Sequence, residues 1–510
     1  MRERGWRNLK HAAPPHYSKV FKLLLSRVFM RTGLEGGQIK ILSRDQVLNI
    51  HNAILKIMSE IGIQFQHEEA LKILHDAGAN VDFKRQIVKF PESLVMESIR
   101  KAPKTIRFCG RNPEEDFIVD GRKVFFGPCS GAPSIIDFET GEHRAGRLSD
   151  MANVAKLCDA LQNIDFVMGL TSASDVPPSL IPLYEPYIVL SNTCKHVQVF
   201  CYGDGGLTKT IIKIAELISG GIEELRRRPI VSLYDEPQSP LFVGREYVES
   251  LIEWCSVGLP IIYAPIPISG ANAPITLAGN IAQGCAESLA GLVLAQLINP
   301  GTPFVFGTVP LILDMRYGVV SYETAETLLM QVMLAQIADF YQLPSWGTGG
   351  MSDSKTLDEQ AIAEASISLT ISSLSGHSFI HDLGFLESAK SGSLELIVIC
   401  NELISILRRI MKGIRVDDEA LAVDVIRAVG HCGSFLSLKH TIRNLHLEYV
   451  MPELMDKSSW AAWSKHRKTL LQNVKEKIRR ILREHYVEPI PNDTRIAVEN
   501  IIKNYLKSKT

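Results

Sequence analysis

Carboxylates, a lysine and glycines concentrate in two stretches of this 510-residue sequence, 346–355 and 381–388. Carboxylates there could transfer protons or hold a charged ligand, and Lys355 could form a Schiff base if burial lowered its pKa. Glycines beside them would let the backbone approach a ligand closely, because glycine has no Cβ. The candidate catalytic residues are Asp353, Lys355, Asp382 and Glu387, and the candidate cofactor-binding residues are Gly349, Gly350 and Ser352.

Each of these polar residues also has a structural interpretation. Asp353 could cap the start of a helix and leave Lys355 in solvent. Asp382 and Glu387 flank one predicted strand end, where each could lie near a ligand or cap the following helix. His381 could equally be a buried histidine whose hydrogen bonds are satisfied within the fold.

The elements that must position these stretches alternate between strand and helix. Eight short β-branched or aromatic runs are each followed by a helical pattern, which predicts an α/β protein with a (β/α)₈ TIM barrel. A doubly wound open sheet is the alternative. Barrel active sites lie at the carboxyl ends of the strands, where the glycine-rich stretches fall. The predicted strands span 124–127, 166–171, 196–202, 230–235, 260–266, 303–309, 344–349 and 378–384.

Three further sections surround the predicted barrel, which spans 121–415. Residues 43–120 predict an α+β cap whose first helix begins after Ser43. Residues 416–510 predict a helical region that wraps the barrel or meets another subunit, so we expect a homo-oligomer. Residues 1–42 form a basic extension with an apolar run too short for a secretory signal. A solvated, partly helical segment and a membrane-surface or partner-docking arm are both open for it.

Composition excludes several classes of function. The net charge of −1 provides no overall field to attract nucleic acid or a membrane. The nine cysteines form no C-x-x-C pair, and no H-E-x-x-H occurs, so we expect no metal site and reduced thiols in the cytoplasm. No apolar run reaches the roughly 18 residues of a spanning helix. No phosphate-binding glycine motif is present, which argues against a nucleotide cofactor.

Several fragments, taken in order, resemble the trimethylamine methyltransferase family from near residue 42 to about 463. Each fragment is weak alone, but their order and spacing are specific. The most telling is Gly349-Gly350 through Ser352-Asp353-Ser354-Lys355 to Asp358 and Gln360. The others include 131–133 with Asp137, 140–142, 163–166, 192–196, 271–279, 300–303, Gly430-His431, His440-Thr441 and 452–456.

The resemblance implies methyl transfer from a methylated amine to a corrinoid (cobalamin) carried by a small separate protein, as in the one-carbon metabolism of methanogenesis. No Asp-x-His-x-x-Gly corrinoid signature occurs in this chain, which fits a cofactor supplied in trans. Some family members carry pyrrolysine, whereas this chain has only the twenty standard residues. It therefore resembles the pyrrolysine-free branch, which uses quaternary amines such as glycine betaine. Lys355 and Asn192 could then bind a betaine carboxylate, and a role for His431 and His440 beside the corrinoid is open.

A quaternary ammonium donates no N–H hydrogen bond, so aromatic faces must hold it, at roughly 0.5–2 kcal/mol per contact. Trp346 is the strongest candidate because it directly precedes the glycine-rich turn. We expect Trp346, Phe385 and Phe126 to line one apolar cavity with few charged groups, although core packing is the alternative for each ring. The candidate substrate-binding residues are Phe126, Tyr202, Tyr234, Trp346, His381 and Phe385.

Two rival functions come from other classes. One is a lyase or aldolase that forms a Schiff base on Lys355, which borohydride trapping would detect. The other is a non-catalytic barrel that binds a ligand and docks a corrinoid protein without turnover.

Overall fold

A computed structural model describes residues 34–509 with the exception of Tyr202. Most of the basic extension expected at 1–42 lies outside the described residues, and so does the candidate Tyr202. In chain order, the first elements are β1 (Leu34–Glu35), α1 (Arg44–Lys56), β2 (Ile63–Phe65), α2 (Glu68–Asp76), β3 (Asn80–Asp82), β4 (Ile87–Lys89), α3 (Glu92–Lys101), β5 (Ile106–Phe108) and β6 (Phe117–Val119).

The first helix begins where the sequence predicts. The Ser43 hydroxyl accepts a hydrogen bond from the Gln46 N–H, and the Gln46 side chain accepts one from the Ser43 N–H, which together form a capping box. Strands β3, β4 and β2 pair in antiparallel fashion. Residues 34–120 thus combine short helices with short strands.

The central section alternates strand and helix, and each of the eight predicted strand ranges overlaps an observed strand. Its strands are β7 (Lys123–Phe126), β8 (Ser134–Ile136), β9 (His143–Ala145), β10 (Phe166–Val167), β11 (His196–Phe200), β12 (Val231–Asp235), β13 (Phe242–Val243), β14 (Ile261–Tyr263), β15 (Ile268–Ser269), β16 (Phe304–Phe306), β17 (Leu311–Asp314), β18 (Val319–Ser321), β19 (Trp346–Thr348), β20 (Phe379–His381), β21 (Phe385–Leu386) and β22 (Ser391–Gly392). Its helices are α4 (Leu148–Ala160), α5 (Ile181–Asn192), α6 (Gly205–Ser219), α7 (Ile222–Arg227), α8 (Arg245–Val257), α9 (Leu277–Ile298), α10 (Ala325–Tyr341), α11 (Glu359–Ser375) and α12 (Leu394–Met411).

The eight strands that match the predicted barrel strands pair in two separate sheets. One has the order β10-β11-β12-β14-β16, and the other contains β7, β20 and β19, with β1 antiparallel at the edge of β7. The predicted α/β class is confirmed. Within the described residues, however, strand pairing does not close into one eight-stranded barrel, because the sheets meet only through isolated backbone bonds. These join the Asp165 N–H to the Phe126 carbonyl at 2.7 Å and the Phe306 N–H to the Pro344 carbonyl at 2.8 Å.

Helix α9 is long and apolar enough to cross a membrane by length and composition alone. It packs against α1, α2 and α3 on the front section and against α8 and α10 in the central section. Of the most apolar 18-residue stretch of α9, 89% is buried inside the protein. A helix covered on every side needs no polar face, so its composition is explained by its place in the core.

The chain ends in helices that rest on the central section. They are α13 (Asp418–Leu421), α14 (Val423–Val429), α15 (Lys439–Glu448), α16 (Trp460–Trp463), α17 (Leu470–Glu484) and α18 (Asn492–Lys509). Helix α17 packs against α4 and α12, and α18 packs against α6. The apolar side of α17 buries Val474, Ile478 and Ile481, in agreement with the helical spacing in the sequence.

Lys195 is fully buried at the end of α4, and its ammonium donates to three backbone carbonyls there. The acceptors are Cys158 at 2.6 Å, Leu161 at 2.7 Å and Ile164 at 2.7 Å. These carbonyls have no continuing helix to bond to, and the positive charge also favours a helix carboxyl end.

We expect Lys195→Met to lower the free energy of unfolding by about 2–4 kcal/mol, because three buried carbonyls would lose the hydrogen bonds of the ammonium. Urea unfolding followed by circular dichroism measures this. Lys209→Met on the exposed side of α6 is the matched control and should change stability by less than about 0.5 kcal/mol. Equal stability of the two variants would contradict the role assigned to Lys195.

Candidate active site

Three rings from different strands meet in the space between the two parallel sheets, where Trp346 begins its strand and His381 ends its own. Trp346 on β19 stacks on His381 of β20, with ring centroids 4.4 Å apart and planes 17° from parallel. The ring of Tyr234 on β12 lies edge-on to both, at 5.7 Å from Trp346 and 5.0 Å from His381. We call Trp346, His381 and Tyr234 the ring cluster. Because β12 belongs to the other sheet, the cluster bridges the space between the sheets.

Gly307 makes the room that Trp346 occupies. A Cβ at position 307 would lie 2.4 Å from the Trp346 Nε1, a separation that real Cβ atoms do not show. The indole is fully buried, and its Nε1 donates to the Tyr263 carbonyl at 3.4 Å. The glycine just after β16 therefore fixes where the tryptophan can lie.

Asp382 orients the imidazole of the ring cluster. Its Oδ1 lies 2.6 Å from His381 Nδ1, and both side chains are buried. The other ring nitrogen, His381 Nε2, is buried without a hydrogen-bond partner among the described residues. The Cys129 thiol lies beside the pair, and ligand atoms of Cys129, His381 and Asp382 all fall within 4.8 Å of one another. By residue type this group could hold a metal ion, which the sequence does not predict.

Glu236 brings a second carboxylate to the same place. Its Oε1 accepts a hydrogen bond from the Tyr234 hydroxyl at 2.8 Å. Burial raises the pKa of Glu236 to about 7, with Asp382 adding to the rise and His381 opposing it. Burial and the two neighbouring acids, Asp382 and Glu236, also hold the pKa of the Cys129 thiol well above its usual range. Near neutral pH Glu236 is therefore divided between its neutral and ionised forms.

Tyr322 is partly exposed in the segment after β18 and lies near the acids of the site. Burial raises the pKa of its phenol, and so do the nearby acids Asp382 and Glu236. Asp353 holds this loop. Its carboxylate accepts the backbone N–H of Tyr322 at 3.1 Å and of Glu323 at 3.2 Å, and the Ser388 hydroxyl at 2.7 Å. Asp353 therefore positions Tyr322 and does not itself join the ring cluster.

The other candidate polar residues lie away from the rings. Lys355 is exposed and donates to the Asp353 carbonyl at 2.8 Å. Glu387 accepts from the Ser391 hydroxyl at 2.9 Å and lies 3.3 Å from His143. Ser352 donates to Glu364 at 2.5 Å, and the space beside Gly349 and Gly350 is filled by Ile380 and Leu383. These positions hold the loop against α11 and leave no open cradle.

The aromatic candidates are only partly brought together. Phe126 points to the helix layer, where the guanidinium of Arg408 lies 5.7 Å from its ring centroid. Strand register explains this: Phe125, not Phe126, shares the face of Phe379 and its in-register neighbour Trp346. Phe385 is buried in β21 and makes no ring contact within the described part of the chain. The expectation of one apolar cavity lined by Trp346, Phe385 and Phe126 is therefore wrong, and carboxylates surround the rings instead.

Cys129, Glu236 and Tyr322 are the members of the site that sequence reasoning missed. Cys129 and Glu236 lie in segments that follow predicted strands, 127–133 and 235–237, so position alone could have singled these two out. A separate cleft of about 430 Å³ lies at the opposite, amino ends of the strands, with Lys104, Arg122 and Asp339 in its wall. It is remote from the residues described above.

We expect Gly307→Ala to lower the free energy of unfolding by about 1–3 kcal/mol and to change the near-ultraviolet circular dichroism, because the added methyl must displace Trp346. Gly205→Ala is the control, since its Cβ would make only ordinary contacts at 3.5 Å. A Gly307→Ala protein as stable as the control, with an unchanged spectrum, would show that Trp346 does not occupy this position.

Comparison with known proteins identifies the family. The sequence pattern described as trimethylamine methyltransferase (MTTB) matches residues 28–508. Trimethylamine methyltransferase MttB of Desulfitobacterium hafniense is 33% identical over 471 residues, which cover 92% of this chain and 95% of that protein. Glycine betaine methyltransferase of Desulfitobacterium hafniense strain Y51 is 33% identical and covers 88% and 93%. Trimethylamine methyltransferase MttB of Methanosarcina barkeri strain Fusaro is 32% identical and covers 90% and 94%.

Among solved structures, the monomethylamine methyltransferase of Methanosarcina barkeri matches 96% of this chain and 97% of its own, with 13% identity and a TM-score of 0.47. The sequence matches extend from the front section through the ring cluster to the last helices. The chain therefore belongs to the trimethylamine methyltransferase family and is a methyltransferase.

Proposed function

We propose that this methyltransferase moves a methyl group from a quaternary, or otherwise methylated, ammonium compound to the Co(I) of a corrinoid held by a small separate protein. The observation that carries the proposal is the ring cluster flanked by the carboxylates of Glu236 and Asp382. Aromatic rings and carboxylates are the two groups that stabilise a cation lacking N–H donors. The names of relatives with trimethylamine and glycine betaine activity support the same class of substrate.

The reaction does not require this chain to form a covalent bond with the substrate. The reduced corrinoid supplies the nucleophile, the N–CH₃ bond breaks, and the nitrogen keeps the bonding electrons and leaves as a neutral amine. The residues of this chain must hold the ammonium with one methyl toward the mouth of the site and exclude water, which is a task of proximity and orientation. Glu236 and Tyr322 are the partly exposed members of the site and so define its open side.

An exposed apolar patch beside that open side supports the docking of a corrinoid protein there. The β17–β18 hairpin leads directly into Tyr322, and at its turn Met315 is 65% and Tyr317 75% exposed. Ile275 lies next to Met315, since both come near the same point above Gly270. An apolar patch at the mouth suits a protein that must bring a large cofactor over the substrate.

We infer, as part of the same proposal, that the eight parallel strands form one closed (β/α)₈ barrel. The two backbone bonds between the sheets and the ring contacts across their interior support this. Closure would place every site residue at one rim, in the usual position for a barrel enzyme. The cytoplasmic location and the homo-oligomer stay predictions.

The Schiff-base alternative has less support. A lysine that forms a Schiff base needs burial to depress its pKa, whereas Lys355 is exposed and bonded to a backbone carbonyl. The site residues are instead suited to binding a cation.

We expect the purified chain to methylate Co(I) cobalamin or a corrinoid protein with at least one methylated ammonium compound, followed by the absorbance change of the corrinoid. Trp346→Phe should lower kcat/KM about tenfold, or about 1–2 kcal/mol, because it weakens the stack on His381 and the cation-binding face. Trp254→Phe, at a buried tryptophan hydrogen-bonded to the Pro260 carbonyl, is the control, and its kcat/KM should stay within about twofold of the unmodified protein.

No methylation with any compound of a panel of trimethylamine, tetramethylammonium and betaines would refute the proposed function. Stoichiometric cobalamin on the purified chain would refute supply in trans.

We expect Met315→Asp to raise KM for the corrinoid protein about tenfold, because a carboxylate in an apolar contact must be desolvated. The rate with free Co(I) cobalamin should be unchanged, since the hairpin tip does not contact the ring cluster. Ile367→Asp, on the exposed side of α11, is the matched control and should alter neither value. An unchanged KM for the corrinoid protein with Met315→Asp would place docking elsewhere.

A further inference from the structure

The acidic side chains around the ring cluster outnumber the basic ones. Besides Glu236 and Asp382, the loop before α10 contributes Glu323, whose pKa is raised by burial and by Asp353, Glu364 and Asp382. Within the described residues, no lysine or arginine forms an ion pair with Glu236, Asp382 or Glu323, and the basic partner of Asp382 is His381. His381 also acts electrostatically on Glu236. The site therefore offers more carboxyl groups than basic groups to a ligand.

The groups expected to bind a betaine carboxylate are engaged elsewhere. Lys355 donates to the Asp353 carbonyl in solvent, and Asn192 donates to the Ile188 carbonyl at 2.8 Å within α5. Arg144, in β9, is held by Asp137 at 3.0 Å and Asp150 at 2.7 Å. Each of these three side chains is already hydrogen-bonded or ion-paired within the protein.

A neutral amide also lies inside the fold near the rings. Gln198 is buried on β11 without a hydrogen-bond partner, and its register partner Ser232 lies two residues before Tyr234. Gln198 therefore lies one layer deeper than the ring of Tyr234. A neutral dipole can donate one hydrogen bond to a carboxylate, but it does not offset repulsion from two acids closer to the mouth.

We propose that the substrate is a methylated ammonium compound with a net positive charge, and that Glu236 and Asp382 select it against zwitterionic betaines. This inference rests on the proposed function and narrows its substrate class. A betaine carries its carboxylate only a few bonds from the ammonium. When its trimethylammonium group contacts the rings, the carboxylate must lie near Glu236 or Asp382, where like charges repel.

Glu236 is the residue best suited to determine this selectivity. It is partly exposed at the mouth, and the hydroxyl of Tyr234 holds its carboxylate beside the rings. The titratable groups that interact with it electrostatically are Tyr234 and Asp235 of β12, and Cys129, Tyr247, Tyr322, His381 and Asp382 from other elements. A bound cation favours its ionised form, whereas a bound carboxylate opposes it.

The test compares tetramethylammonium with glycine betaine on the full-length chain, by calorimetric binding and by Co(I) cobalamin methylation. We expect tetramethylammonium to bind at least tenfold more tightly and to be the better methyl donor. Glu236→Gln should reduce that preference about tenfold, while Glu326→Gln, which removes the same charge from an exposed position in the first turn of α10, should keep it.

The possible results distinguish the inference about substrate charge from the proposed function. Tighter binding and faster turnover of glycine betaine by the unmodified protein would overturn this inference and leave the proposed function intact. Failure of every methylated ammonium compound to bind or react would overturn the proposed function itself. If Glu236→Gln is folded by circular dichroism and still prefers tetramethylammonium to the same degree, the role of Glu236 is overturned. The comparison of the two compounds in the unmodified protein does not depend on any variant.

Discussion

The hydrogen bond between Asp382 and His381 determines the geometry on which the rest of the site depends. It fixes the imidazole plane, the indole of Trp346 stacks on that plane, and Tyr234 meets both rings edge-on. Asp382 holds this bond from a backbone conformation with φ 81°, which L residues rarely adopt. A conformation of that kind persists only where surrounding contacts compensate for its cost, and such positions concentrate at functional sites.

The surrounding fold supplies these contacts because the two faces of each strand lie in different environments. Alternate residues of β12 point to the rings and to the helix layer, so Tyr234 joins the cluster while Asp235 is buried on the other side with no hydrogen-bond partner among the described residues. The missing side chain of Gly307 and the loop held by Asp353 then set the depth and the mouth of the site. Positioning of the rings is thus distributed over elements far apart in sequence.

Sequence patterns predicted the parts of this arrangement that depend on local order. The eight strand ranges, the helix that begins after Ser43 and the place of His381 at a strand end follow from periodicity and capping, whereas Trp346 begins its strand instead of ending it. Periodicity did not predict that Phe126 faces Arg408, because adjacent strand residues differ only by register and the register is set by tertiary pairing. Cys129 and Glu236 were missed because a single acid or thiol after a strand has no distinguishing pattern until other elements are placed beside it.

Buried carboxyls connect the stability of the protein to its ligand. Burial raises the pKa of Glu185, Glu236 and Glu287 to about 7 in each case. A carboxyl whose pKa is higher in the folded than in the unfolded state binds more protons when folded, so its contribution to stability falls as pH rises from the unfolded value through about 7.

The three glutamates differ in what offsets that loss. Glu287 accepts hydrogen bonds from Ser239, Leu241 and Gln283, and Glu185 accepts them from Ser130 and Gly169. Glu236 accepts one within the described residues, from Tyr234. A cation at the ring cluster would favour the ionised form of Glu236, so binding of the cation and ionisation of this residue are thermodynamically linked. In the described part of the chain, Glu236 accepts the fewest hydrogen bonds of the three glutamates. It is also the one that lies where a bound ligand can stabilise its ionised form.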